Sequence, residues 1–235
     1  MTAGNRALLL FSRLPRLGRV KTRLTPRFTA QEALALHRAL LADSIDLLRR
    51  CGEATGASCW LYLSEAGDLE GDLSTHLGPT RVRIQQGADL GERLLQAFRE
   101  CLEGGHAKVV VLGSDSPHLP GSYVARAFEE LDRGEIVVGP ARDGGYYLVG
   151  ASRTFPSLFA GMPWGTSQVY RETVRRGRRE GITITSLPAW DDVDLPESVA
   201  HLFHELTRRQ AEGSGAIPQA TLALLQAWAA SGKLG

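Results

Sequence analysis

A lone aspartate at the end of a valine run is well placed to hold a divalent cation. Residues 108–112 read Lys-Val-Val-Val-Leu and stop at Gly113-Ser114-Asp115-Ser116-Pro117. Mg2+ keeps several waters, takes one or two carboxylates, and completes its shell with substrate phosphates. Asp115 is a candidate ligand on that ground, set against the common alternative of an Asx turn joining strand to loop. A second candidate stands in Asp191-Asp192-Val193-Asp194-Leu195-Pro196-Glu197. Three carboxylates within four residues repel one another unless a cation or a helix terminus compensates. Asp194 with Glu197 also reads as a capping-box-like pair, with Pro196 in the first helical turn. A cap can ligate a metal as well, so the two readings of Asp194 stand together.

Phosphate chemistry is suggested nearer the start. The stretch from Ser12 to Leu24 carries Arg13, Arg16, Arg19, Lys21 and Arg23 around Gly18. A glycine lets backbone amides approach a phosphate, and Arg and Lys neutralise a polyphosphate. A basic cluster alone reads as a solvated loop; its place after a first apolar strand shifts the reading toward phosphate. Two further loops could touch a substrate. Gly139-Pro140-Ala141-Arg142-Asp143-Gly144-Gly145-Tyr146-Tyr147 offers bare backbone and paired tyrosines, although Asp-Gly is also an ordinary hairpin signal. Gln86-Gly87-Ala88-Asp89-Leu90-Gly91-Glu92-Arg93 enters a helix that Asp89 could simply cap.

Other residues are discounted. His37 lies in an apolar helical stripe and reads as packed. His118 stands near Asp115 and carries a little more weight than His37, with an exposed loop position as the alternative. Arg175, Arg176, Arg178 and Arg179 read as a solvated helix face, without the interleaved aromatics that nucleic-acid binding wants. No Ser-His-Asp or Cys-His signature, no P-loop pattern and no GxGxxG after the first strand are present.

These loops need elements to hold them. Residues 7–12 predict a buried strand. Thr29 with Glu32 predicts a capping box, opening a helix whose Leu34, Leu41, Ile45 and Leu48 recur at helical spacing to about Cys51. Strands follow at 58–63 and 81–86, then a helix at 91–102. The valine run predicts a strand buried on both faces of a parallel sheet. A helix at 122–131, strands at 136–138 and 146–149, a helix at 168–179, a strand at 182–186 and a helix from about Asp194 complete the pattern. Strands alternating with helices predict a three-layer, mostly parallel, Rossmann-like α/β sheet, with 146–149 as an antiparallel addition. Ligands of such sheets collect outside the carboxyl ends of the strands. Residues 1–212 are expected to form this domain, and 213–235 a Gly-Ser-Gly linker with a last amphipathic helix carrying Leu222, Leu225 and Trp228.

Composition suits one large domain, or a domain with a small appendage, that buries a substantial core. The chain has 235 residues, 43% of them hydrophobic, and a formal net charge of +1. That balance argues against dedicated nucleic-acid or membrane binding, which usually leaves a basic excess. Cys51, Cys59 and Cys101 are odd in number and lack CxxC spacing, which suggests neither zinc nor a disulfide framework. No apolar run reaches 18 residues and no signal-peptide core is present, so a cytoplasmic protein is expected.

Taken in order, several of these motifs resemble one family. They are Phe11-Ser12 through Val20-Lys21-Thr22-Arg23-Leu24, Asp89-Leu90-Gly91-Glu92-Arg93, Gly113-Ser114-Asp115-Ser116-Pro117, the Gly139 to Tyr147 stretch, Trp164, and Asp192-Val193-Asp194. The ordered set, across about residues 7 to 205, is similar to the selenodomain-associated transferases, also described as arsenosugar-biosynthesis-type glycosyltransferases, of the GT-A nucleotide-diphospho-sugar transferase superfamily. The resemblance implies a nucleotide or nucleotide-sugar donor, a small-molecule acceptor, and Mg2+ or Mn2+ on Asp115 and Asp194. It makes Lys21, Arg23 and Asp115 the catalytic candidates, with Lys21 and Arg23 on the phosphates. Ser12, Arg13, Gly18, Asp89, Gly91, Arg93, Asp143, Gly144, Gly145 and Tyr146 become candidate substrate contacts. One departure is visible. GT-A glycosyltransferases typically show Asp-x-Asp, whereas Ser114 and Ser116 flank a single aspartate here. That pattern is closer to nucleotidyltransferases such as the guanylyltransferases of cofactor biosynthesis, which transfer a nucleoside monophosphate from a triphosphate to a phosphorylated small molecule. Glycosyl transfer, nucleotidyl transfer and a non-catalytic nucleotide-binding module are the three functions the sequence leaves open.

Overall fold

The first apolar run sets the architecture. In a computed structural model describing residues 5–234 except 26, 70 and 72, it forms strand β1 (Arg6–Ser12), with Ala7, Leu8 and Leu9 wholly buried. The chain continues through α1 (Ala30–Thr55), β2 (Ser58–Leu63), α2 (Leu73–His76), β3 (Arg81–Ile84), α3 (Leu90–Glu103) and β4 (Lys108–Gly113). Then come α4 (Gly121–Glu130), β5 (Ile136–Pro140), β6 (Tyr146–Ala151), α5 (Pro156–Phe159), α6 (Val169–Glu180), β7 (Ile184–Ser186), α7 (Pro196–Glu212) and α8 (Gln219–Ala230). The strands make one seven-stranded sheet in the order β3-β2-β1-β4-β6-β5-β7. β1 pairs in parallel with both β2 and β4, and β6 is antiparallel to both β4 and β5. The mostly parallel sheet with one antiparallel insertion is the arrangement expected from the sequence.

Burial on both faces follows from the two-residue period of a strand. Leu8, Leu10, Val110 and Leu112 face Leu41, Ile45 and Leu48 of α1 and Val124 and Phe128 of α4. Leu9, Val109 and Val111 face the other way, onto Leu94 and Phe98 of α3 and Phe159 of α5. The result is three layers, helices on each side of the sheet.

The capping box of α1 is present: the Thr29 hydroxyl accepts from the Glu32 amide at 3.3 Å, and the Glu32 carboxylate accepts from the Thr29 amide at 2.9 Å. The helix runs one turn past Cys51 and stops at Gly56, whose φ of +66° takes the left-handed position that ends helices. A third core joins α1, α7 and α8 through Leu36, Leu40, Leu202, Leu206, Leu222 and Leu225. Phe28 stacks on Trp228 there at 5.0 Å. The buried Asp43 of α1 accepts from the Ala220 and Thr221 amides at 3.1 and 2.7 Å, capping α8 from a distant part of the chain.

Three expectations are corrected. α7 begins at Pro196, and its first turn is closed by the Ser198 hydroxyl, which accepts from the Asp194 and Leu195 amides at 3.1 Å each. Asp194 is therefore not paired with Glu197 as a cap, and its carboxylate is turned to another use. Arg176 is not on a solvated face: it donates to the carbonyls of Ser157, Ala160 and Gly161, tying α6 to the turn after α5. His118 is buried at 2% exposure rather than open to solvent. Among the described residues, no helix is long and apolar enough to cross a membrane.

Candidate functional site

β1 and β4 lie side by side, but their connections leave in opposite directions: β1 leads to β2 and β3, β4 to the half containing β5, β6 and β7. Strand order reverses between them, and a crevice opens at their carboxyl ends, where ligands of open α/β sheets bind. A cavity of about 540 Å3 occupies this place. Its floor is stitched from both strands. The Ser114 hydroxyl donates to that of Ser12 at 3.0 Å, and the Ser44 hydroxyl donates to the Ser114 carbonyl at 3.2 Å.

The loop after β1 is anchored by buried Leu14 and Val20, which leaves Arg13, Arg16 and Arg19 in solvent. Lys21 is the exception among its cations, at 8% exposure. Its backbone is left-handed, with φ 48° and ψ 36°. A residue with a Cβ seldom adopts that conformation without compensation from its surroundings. The compensation is visible in the side chain. The Lys21 ammonium donates to the Val193 carbonyl at 2.5 Å, pairs with Asp115 Oδ1 at 2.6 Å and lies 3.9 Å from Asp194 Oδ1. Arg23 pairs with Asp194 Oδ2 at 2.6 Å. Backbone bonds hold the partners in place: the Val193 amide donates to the Asp115 carbonyl at 3.0 Å, and the Ser116 hydroxyl to the Asp191 carbonyl at 2.8 Å.

Charge is dense at this point. Burial opposes ionisation of Asp115, but the adjacent Lys21 ammonium overcomes it and holds the carboxyl below its usual range. Its oxygens are still reachable, the side chain being 42% exposed at the bottom of the cleft. Asp192 behaves oppositely: burial, then the charges of Asp143, Asp115 and Asp194, push it up to about 6. Four aspartates from three loops thus share one field, with Lys21 and Arg23 as the cations between them.

Of the residues expected from the sequence, Ser12, Arg13, Lys21, Asp89, Arg93, Asp115 and Asp194 line the cavity. Asp89 also caps α3, accepting from the Glu92 amide at 2.9 Å. Arg93 is fixed by its Nε on the Gly87 carbonyl at 3.0 Å. Gly18 forms an exposed turn with φ +70° and does not line the cavity. Gly91 is a packing position, since a Cβ there would stand 2.4 Å from the Phe159 carbonyl oxygen. The β5–β6 connection lies apart from the cavity lining. Gly144 has φ +94° and backs onto Ser167, and the Gly145 amide donates to Asp143 Oδ1 at 2.8 Å. Tyr146 shares its hydroxyl with Thr173 and meets Trp164 edge-on. Asp143 reaches the site through its charge on Asp192.

Sequence reasoning passed over His37, Gln85 and Ser114 as lining residues. His37 is packed as expected, yet its Nε2 sits 3.0 Å from the Arg13 carbonyl and fixes the start of the basic loop. The Gln85 amide donates to the Ser12 and Tyr62 carbonyls at 3.1 and 2.9 Å. A second groove of about 480 Å3 lies along residues 191–193, lined by Arg142, Asp192, Glu197 and His201 among others.

Among the described residues, no group of three or more His, Cys, Asp or Glu side chains forms a metal cage. Two carboxylates brought together on Lys21 suit an ion that draws its other ligands from water and substrate phosphates. Asp115 and Asp194 fit Mg2+ or Mn2+ in that sense.

Residues 47–166 match the model of a family described as "Uncharacterized protein conserved in bacteria (DUF2064)". No curated protein matches the chain. Among solved structures, a "putative nucleotide-diphospho-sugar transferase" from Desulfovibrio desulfuricans G20 is 31% identical, with a TM-score of 0.82, over 97% of this chain and 96% of that one. CMP:2-keto-3-deoxy-manno-octonic acid synthetase, solved with CTP, has a TM-score of 0.53 at 11% identity, covering 87% of this chain and 99% of its own. A cytidylyltransferase from Leptospira borgpetersenii serovar Hardjo-bovis (strain JB197) has a TM-score of 0.51 at 12% identity, over 98% and 96%. The last two likenesses show the fold alone. With half of its length inside the family model and the Desulfovibrio relative matched nearly end to end, the chain belongs to the DUF2064 family and has the nucleotide-diphospho-sugar transferase fold.

Proposed function

We propose that the protein is a metal-dependent GT-A-type transferase that moves a glycosyl group from a nucleotide-diphospho-sugar to a small-molecule acceptor. The observation that carries this reading is the meeting of Asp115 and Asp194 around Lys21 at the β1–β4 switch point. The likeness to the Desulfovibrio nucleotide-diphospho-sugar transferase supports the donor class. The ordered motifs support placement among the selenodomain-associated transferases.

In this reading the donor lies in the cavity with its diphosphate beside Lys21, Arg23 and Arg13. Asp115 and Asp194 would hold Mg2+ or Mn2+, which when bound supplies positive charge to the leaving diphosphate. Lys21 and Arg23 offset the charge that develops there as the bond to the sugar breaks. Preorganised cations inside a cleft do this more effectively than water, because they need no reorganisation at the moment of reaction. The acceptor enters from the second groove, whose residues 191–193 adjoin Asp194 of the donor cavity.

Nucleotidyl transfer is the second reading, favoured by the single aspartate between Ser114 and Ser116 and by the cation-rich loop. The same residues would then serve a triphosphate attacked at its α-phosphate by a phosphorylated nucleophile. A thermal-shift screen of nucleotide sugars, nucleoside diphosphates and triphosphates, each with and without Mg2+ or Mn2+, separates the two. A ligand that binds only the native state raises stability by about 2.7 kcal/mol at a hundredfold excess over its Kd. Metal-dependent stabilisation by one nucleotide sugar, followed by acceptor-dependent release of the nucleoside diphosphate, is the expected result. A response to one triphosphate alone transfers the assignment to nucleotidyl transfer. Nucleotide binding without turnover of any acceptor points to a binding module, and no response at all removes the donor-site assignment.

A further inference from the structure

We propose that the Lys21 ammonium occupies the cation position of the donor site until a divalent metal displaces it, so that metal entry and release of Lys21 toward the donor phosphates are one exchange. The proposal rests on the metal-dependent reading above and assigns Lys21 a role beyond phosphate contact.

Three features of Lys21 combine. Its side chain is only 3% exposed, and an ammonium taken out of water must be met by acceptors. Those acceptors are Asp115, Asp194 and the Val193 carbonyl, so the lysine sits on the two carboxylates assigned to the metal. It is also the one non-glycine residue with positive φ among the described residues, held in an uncommon backbone state while its side chain keeps this position.

The present lysine and a metal shared by Asp115 Oδ1 and Asp194 Oδ1 exclude each other. Mg2+ binds carboxylate oxygen at about 2.0–2.1 Å, whereas Nζ already stands 2.6 Å from Oδ1. Two cations on one oxygen repel strongly at that separation. The displaced ammonium has a destination, since Lys21 lines the same cavity in which the donor phosphates would lie. Arg23 can follow easily, because its side chain is 55% exposed. Metal without donor then leaves Lys21 unpaired, whereas metal with donor gives it phosphate oxygens.

The test uses Mn2+ alone with the full chain. Free Mn2+ is read by electron paramagnetic resonance for the parent, Lys21→Met and Lys21→Arg. Removing the competing charge should tighten Mn2+ binding at least tenfold in Lys21→Met, while Lys21→Arg stays near the parent. Equal or weaker binding by Lys21→Met overturns the exchange. A second measurement needs no variant. The chain has three lysines, Lys21, Lys108 and Lys233, so acetylation by a water-soluble reagent can be followed by mass spectrometry at Lys21 against two internal references. Saturating Mn2+ should raise Lys21 modification several-fold relative to the other two. Mn2+ bound with Lys21 still protected overturns the exchange and leaves the metal site standing. No Mn2+ bound by parent or variant removes the metal site itself, and the exchange with it.

Discussion

Asp115 and Asp194 differ in what supports them, and that difference predicts unequal variants. Asp115 is fixed by its own backbone to Val193 and is the nearer of the two carboxylates to Lys21, whereas Asp194 divides its oxygens between Lys21 and an exposed arginine. Asp115→Asn should lower kcat by roughly 10^2–10^3-fold, the range seen when one preorganised charge-stabilising group is lost. Circular dichroism should report an unchanged fold. Asp194→Asn should do less, and equal losses would contradict this division of labour. Glycine geometry supplies a second prediction. A Cβ on Gly144 would lie 2.2 Å from the Ser167 carbonyl oxygen at a φ of +94°. Gly144→Ala should therefore cost about 2 kcal/mol or more through overpacking and backbone strain. Urea melts that coincide with the parent would show that the 165–168 turn yields freely. At this scale residue types alone showed what could do chemistry; that Asp115 and Asp194 would meet was implied by the resemblance, and the Lys21–Asp115 pair by neither. Lys21 and Asp115 are far apart in the chain, and nothing in either motif announces a buried lysine with left-handed backbone.

Elements were more legible because their signals are local. The capping residues of α1, the valine run of β4 and the Asp-Gly signal before β6 each name an element and its approximate ends. What escaped was the start of α7, where Ser198 closes the turn that Asp194 was expected to cap. A hydroxyl that folds back onto two amides competes with the aspartate, and no periodicity reveals which wins. The attachment of α8 was equally hidden, since it depends on Asp43 in a helix far upstream. That carboxylate accepts from two amides that open α8, and burial raises its pKa despite those bonds. Asp43→Ala should cost about 2 kcal/mol, combining a lost cap with buried amides left unpaired. Limited proteolysis should then cut first in the 213–218 connection. A variant with unchanged urea midpoint and cleavage pattern would show that Leu222, Leu225 and Trp228 hold α8 without the cap.

At the scale of the whole molecule, buried His118 packs the loop after β4 against Trp190 and α7, and this should make global stability depend on pH. His118 follows β4, packs at a tilt against Trp190 with ring centroids 5.3 Å apart and lies 3.8 Å from Glu205 of α7. Its carbonyl accepts from Arg209, and His201 faces it from the same helix. Burial, then the charges of Arg209 and His201, lower its pKa from 6.5 to about 3. The folded protein therefore leaves this imidazole neutral where the unfolded chain would protonate it. With more protons bound in the unfolded state, stability rises with pH and is lost as pH falls from about 6.5 toward 3. One fully differential proton gives a slope of about 1.4 kcal/mol per pH unit. His118→Gln removes that proton while keeping a polar side chain of similar reach. It should be less stable than the parent at pH 7, where it loses the contact with Trp190, and should recover by roughly 2 kcal/mol relative to the parent at pH 5. Parallel stability profiles for parent and variant between pH 5 and 7 would mean that Glu205 compensates the charged ring, and that the acid sensitivity of this fold arises from its carboxylates instead.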